Sequence, residues 1–109
     1  MFHMLTCFDL KPEYSLDEFQ ESLDEYTNHM HSLDLVEDRS PIGLRQSDTI
    51  MDTDNERNHK YFMLMNFRDR TQSDKAVEYI KLHQEPGDSI HKEVYSKVQD
   101  LIFICWQDI

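Results

Sequence analysis

Four residues in this sequence pair a side chain suited to acid–base or hydrogen-bonding chemistry with a setting that could hold it: His3, Arg45, Asn66 and His83. His3 and Asn66 each stand inside an apolar, strand-like run, where a polar side chain removed from water needs a partner. A His acting as base, with an Asn or Arg steadying a developing oxyanion, is a minimal set for proton-transfer chemistry without a cofactor. The competing reading is structural: His3 sits at a fraying end, and Asn66 bonds locally near the end of its strand.

Other chemistry is poorly supported. Cys7 and Cys105 are the only cysteines, and both lie in apolar runs. They would face each other across the first and last strands, but no nearby Lys or Arg is evident to activate either thiol, so buried structural cysteines are expected. His29 and His31, two apart on a helix, point in different directions. His83 and His91 flank Pro86-Gly87 and could converge. The spacings of a closed zinc site are missing, and Asp52-x-Asp54-x-Glu56 lacks the glycine and closing Glu of a calcium loop. No motif singles out a haem ligand. No metal and no cofactor are therefore expected. Two glycines in 109 residues leave no room for a phosphate-cradling loop.

The elements that must position these groups follow from periodicity. Phe2 to Phe8 reads as a strand ended by Lys11-Pro12. Ser15-Leu16-Asp17-Glu18 is a capping box, with Tyr14 and Phe19 as a hydrophobic staple. Leu16, Phe19, Leu23, Tyr26, Met30 and Leu33 then mark one face of a helix. A second strand is expected around 39–46, kept to an edge by Pro41, and 47–59 is a polar connection. Residues 60–67 form a strand. Thr71 is the expected N-cap of a helix running to about Gln84 and stopped by Pro86-Gly87. Asp88 or Ser89 is the expected cap of a further helix over 89–99, and Leu101 to Trp106 is the last strand. The length suits a single domain over 1–109.

This order is the ferredoxin-like βαββαβ pattern of an α+β domain, with an extra helix before the last strand and a four-stranded antiparallel sheet in the order 4-1-3-2. Both helices of that pattern cover one sheet face, yet the strands are apolar on both. Tyr61, Met63, Met65 and Phe67 oppose Phe62 and Leu64, while Ile102, Ile104 and Trp106 oppose Leu101, Phe103 and Cys105. A bare apolar sheet face of this extent predicts a partner, most simply a second copy of the chain. Parity also places His3 and Asn66 on one face of neighbouring strands, together with the two thiols.

The element order, the first strand ending in Leu10-Lys11-Pro12 and the strand-Arg68-Asp69-helix passage resemble the dimeric α+β barrel superfamily, across nearly the whole chain. The resemblance implies a homodimer with a cavity between sheet and helices in each subunit. It also implies a function drawn from cofactor-independent monooxygenases, small isomerases, haem-binding members or stress-related proteins, without choosing one.

Charge narrows the partners. Twenty-two acidic against eleven basic residues give a formal net charge of -11, which repels nucleic-acid backbones and anionic membranes. The mean hydropathy of -0.72 with strong periodicity indicates a folded domain with a very polar exterior. The cytoplasm is the expected location. Three functions remain: a dimer binding a small apolar or aromatic organic ligand, a cofactor-independent oxygenase or isomerase, and a structural dimer with a solid core.

Overall fold

The first strand, β1 (Phe2–Leu10), is the centre of the sheet because it is flanked on both sides. A computed structural model describes all 109 residues. Its elements are β1, α1 (Leu16–Ser32), β2 (Asp38–Arg39), β3 (Gly43–Leu44), β4 (Tyr61–Phe67), α2 (Arg70–Lys81), α3 (Gly87–Tyr95) and β5 (Val98–Gln107). The sheet is antiparallel in the order β2-β4-β1-β5, with β3 also paired to β4. This is the predicted 4-1-3-2 arrangement.

The expected strand at 39–46 is two short bridges instead. Pro41 stands between β2 and β3 and has no N–H to give a continuous ladder. The cap expected at Thr71 is at Asp69, whose carboxylate accepts from Gln72 N over 2.8 Å. Arg70 to Lys81 is then helical, and the chain leaves the helix at Leu82 rather than at Gln84. Neither Asp88 nor Ser89 caps α3: the helix starts at Gly87, and the Asp88 carboxylate turns to His83 and Lys92. The Ser15 capping box forms as expected, with Glu18 N donating to Ser15 Oγ over 3.1 Å.

Twelve buried residues form the core between the sheet and the helices. Phe19, Leu23, Tyr26 and Met30 supply the α1 stripe, and Met63, Met65 and Phe67 supply β4. Each such side chain contributes roughly 1.5–3 kcal/mol of burial. The stripe is buried only in the middle: Leu33, at its end, is 44% exposed.

The second sheet face has no helix on it and is open except at the Cys7 end, where the 45–59 connection crosses it. It carries His3, Leu5 and Cys7 of β1, Phe62, Leu64 and Asn66 of β4, and Ile102, Ile104 and Trp106 of β5, which the register aligns as rows. Cys7 and Cys105 do not face each other. Cys7 aligns with Ile102 on the open face, whereas Cys105 aligns with Met4 on the helix face. The parity expectation for the pair fails because β5 is offset by three residues, an odd number, from the register that would oppose them. No helix is long and apolar enough to cross a membrane.

Candidate ligand cavity

A cavity of about 430 Å³ lies between the helices and the sheet face they cover. Fourteen residues line it, twelve of them hydrophobic. Helical spacing explains most of them. Tyr26 and Met30 are one turn apart on α1. Ser73, Ala76, Val77 and Ile80 make the i, i+3, i+4, i+7 stripe of α2, and His91 and Tyr95 are one turn apart on α3. The sheet contributes Met4, Met65, Phe67, Leu101 and Phe103.

The polar groups of this cavity are few and close together. The ring of His91 lies between Tyr26 and Tyr95, with centroids 5.6 and 4.8 Å away. Tyr95 meets Phe103 edge-on at 6.1 Å. Burial pushes the His91 pKa down, only partly offset by the Asp88 carboxylate, so the ring is a neutral imidazole near neutral pH. Burial raises both phenols, Tyr95 to about 12 and Tyr26 higher, so both keep their protons. None of these three side chains makes a hydrogen bond within the protein, which leaves a neutral imidazole and two phenols free to meet a guest. One turn away, His29 Nε2 and Tyr79 Oη are 2.7 Å apart and tie α1 to α2.

The four sequence candidates lie elsewhere. His3 and Asn66 are brought together, in register and 2.6 Å apart, but on the open sheet face. Arg45 organises the 45–59 connection: it pairs with both Asp52 oxygens at 2.9 and 2.8 Å and donates to the carbonyls of Asp54 and Arg57. That pairing holds the Asp52 carboxyl below its usual range. His83 is exposed past the end of α2 at φ 51°, with Nδ1 2.8 Å from Asp88. Its charge still acts on His91, whose pKa it lowers. No three His, Cys, Asp or Glu side chains are placed to share a metal ion.

The connection also explains Cys7. His59 Nε2 reaches the Asp100 carbonyl, and Lys60 N donates to Asp9 over 2.8 Å, so the chain crosses β1 at this end. Cys7 is buried there, and desolvation raises its thiol pKa against the opposing influence of Arg57 and Arg45. Sequence reasoning missed His91, Tyr26 and Tyr95 as a group. Tyr26 was part of a core stripe, and the one available signal was the i, i+4 spacing of His91 and Tyr95 on a short helix.

No protein-family model matches the chain, and no curated protein matches it in sequence. Solved structures do match. A protein of Arabidopsis thaliana superposes with a TM-score of 0.75 at 8% identity, over 100% of this chain and 96% of its own. A hydroxynitrile lyase from Passiflora edulis gives 0.63 at 9% identity, over 96% and 90%. An antibiotic biosynthesis monooxygenase gives 0.61 at 14% identity, over 100% and 99%. Further neighbours are described as dimeric ferredoxin-like proteins. With the strand order and the one-sided helices already established, the likeness identifies the fold of this chain as ferredoxin-like.

Proposed function

We propose that the chain forms a homodimer through its open sheet face and binds a small apolar or aromatic organic molecule in the cavity between sheet and helices. The observation that carries the ligand reading is a largely hydrophobic cavity of about 430 Å³ holding three unpartnered polar side chains, His91, Tyr26 and Tyr95. That combination of greasy walls and a few polar anchors is what small-molecule sites use. It weighs against the structural reading, which requires a solid core. The dimer reading is supported by the exposed Ile102, Ile104 and Trp106 and by the likeness to dimeric proteins. Two separate free cysteines suit a reducing, cytoplasmic setting.

Native mass spectrometry of the purified protein tests both parts. The expected result is a dimer carrying an organic mass, or a bare dimer that takes up 1-naphthol as an uncharged aromatic probe. Val77→Trp, which fills the cavity from α2, is expected to abolish probe uptake and leave the dimer intact. Unchanged uptake in that variant would sink the cavity as the binding site.

A second reading has an observation of its own. A neutral imidazole beside two phenols can take up a proton at one atom and supply one at another, the minimum for acid–base turnover without a cofactor. An isomerase, lyase or monooxygenase of that kind is supported by the likeness to the lyase and the monooxygenase. His91→Gln separates the readings: loss of turnover with retained probe binding favours the enzyme.

A further inference from the structure

The open sheet face carries one polar cluster in an apolar field. His3 stands in register with Asn66 on one side and Trp106 on the other, and Leu5, Leu64 and Ile104 form the next row. The His3 and Trp106 rings are tilted against each other with centroids 5.2 Å apart.

The hydrogen bonds fix the protonation of His3. A carboxylate can only accept, so Asn66 Nδ2 donates to Asp38 over 2.6 Å, which turns Asn66 Oδ1 toward His3. That oxygen can only accept, so His3 Nδ1 must carry the proton of the 2.6 Å bond. Asp108 Oδ1, 2.8 Å from His3 Nε2, imposes the same on the second nitrogen. In this arrangement both ring nitrogens donate, which favours the imidazolium over the neutral ring. The one other charged group at the cluster is the amino group of Met1, 3.3 Å from Asp108. The helices are on the far face and add no charge here. In keeping with this geometry, the Asn66 and Asp108 hydrogen bonds raise the His3 pKa.

We propose that His3 makes the association of two copies of this chain through the open face proton-dependent, tight with the imidazolium and weak with the neutral ring. The inference rests on the dimer reading above and adds its regulation. A second sheet laid on this face strips water from Asp38 and Asp108, and a desolvated carboxylate without a cation is costly. The partner brings a net -11 of its own and so no surplus of positive charge. Two carboxylates meet one ammonium there, that of Met1, and the imidazolium supplies the second cation. The dimer therefore holds the His3 proton more tightly than the monomer, and by linkage the association weakens as pH rises through the His3 pKa of the dimer. With two His3 rings per dimer, one unit of difference in each changes the dissociation constant about a hundredfold.

Sedimentation equilibrium of the full chain at about pH 5.5 and about pH 8.5, on either side of the ordinary histidine range, is the test. Wild type is expected to dissociate much more readily at the higher pH, and His3→Gln to show a much smaller change between the two. A wild-type dimer of unchanged affinity across this range overturns the proposal but leaves the dimer standing, as does a His3→Gln dimer with the wild-type pH response. A monomer at every pH overturns the dimer and the proposal together. NMR titration of the His3 ring nitrogens in wild type, above and below the dissociation constant, decides the case if the variant does not fold: a higher pKa in the dimer is expected, and equal values overturn the proposal.

Discussion

His91 and His3 show how one residue type takes opposite states in one small protein. His91 is half-buried among tyrosines and loses charge; His3 donates to two acceptors and keeps it. Their effects on stability have opposite signs. The His91 pKa is depressed in the folded state, so its contribution is present above the unfolded value near 6.5 and is lost as pH falls through the folded pKa. The His3 pKa is raised, so its contribution is present below about 6.5 and is lost as pH rises through the folded pKa. Urea melts across the histidine range are expected to show a shallower acid-side slope in His91→Gln and a shallower alkaline-side slope in His3→Gln. A His91→Gln protein as acid-sensitive as wild type would place the proton uptake elsewhere. At the cavity, Tyr26→Phe is expected to weaken 1-naphthol binding about tenfold by fluorescence titration, the worth of one lost hydrogen bond.

At the scale of the element, caps and close approaches decide how the helices sit. Ser15→Ala removes the acceptor for Glu18 N and is expected to cost about 1 kcal/mol. Leu23 is fully buried on α1, and Leu23→Ala is expected to lose about 3 kcal/mol, read as a lower urea midpoint at unchanged slope. Gly87 opens α3 where a Cβ would lie 2.7 Å from Tyr79 ring carbons. Gly87→Ala must therefore displace Tyr79 and loosen its bond to His29, and chemical shifts of the His29 ring are expected to report it. A variant with unchanged His29 shifts would mean that the ring has room to move. Gln72 is buried at the start of α2, accepts from Arg68 N and donates to the Asp34 carbonyl and Glu37. It joins the turn after β4 to the turn after α1, so Gln72→Leu is expected to cost about 1–3 kcal/mol by leaving those groups unpaired.

For the whole molecule, the decisive feature is a sheet with helices on one face only. Trp106 is 42% exposed on the other face, and Ile102 and Ile104 lie on the same face of the same strand. Ile104→Asp is expected to give a folded monomer, seen as a halved mass in sedimentation with an unchanged far-ultraviolet spectrum. A dimer that survives this change would have to associate through another surface. The acidic exterior works against any association, so added salt is expected to strengthen the dimer by screening like charges.

Much of this architecture was legible along the chain, because it is written in local chemistry. The capping box at Ser15, the α1 stripe and the two-faced apolar strands each encode a period or a cap that neighbouring residues decide among themselves. The adjacency of His3 and Asn66 also followed, since parity and strand order together determine a cross-strand pair. The broken edge strand at Pro41 was legible only as an edge, because its pairing depends on where β4 lies. A cavity between sheet and helices was expected from the resemblance, but its polar lining was not legible. His91, Tyr26 and Tyr95 come from two helices separated by most of the chain, and their meeting depends on how α3 packs against α1. The placement of Cys105 had the same cause: an odd offset between strands reverses a face, and only the assembled sheet sets that offset. The sequence by itself determined the periods, caps and charge. The tertiary structure alone decided which side chains share a space, because that depends on distances between elements that no local pattern contains.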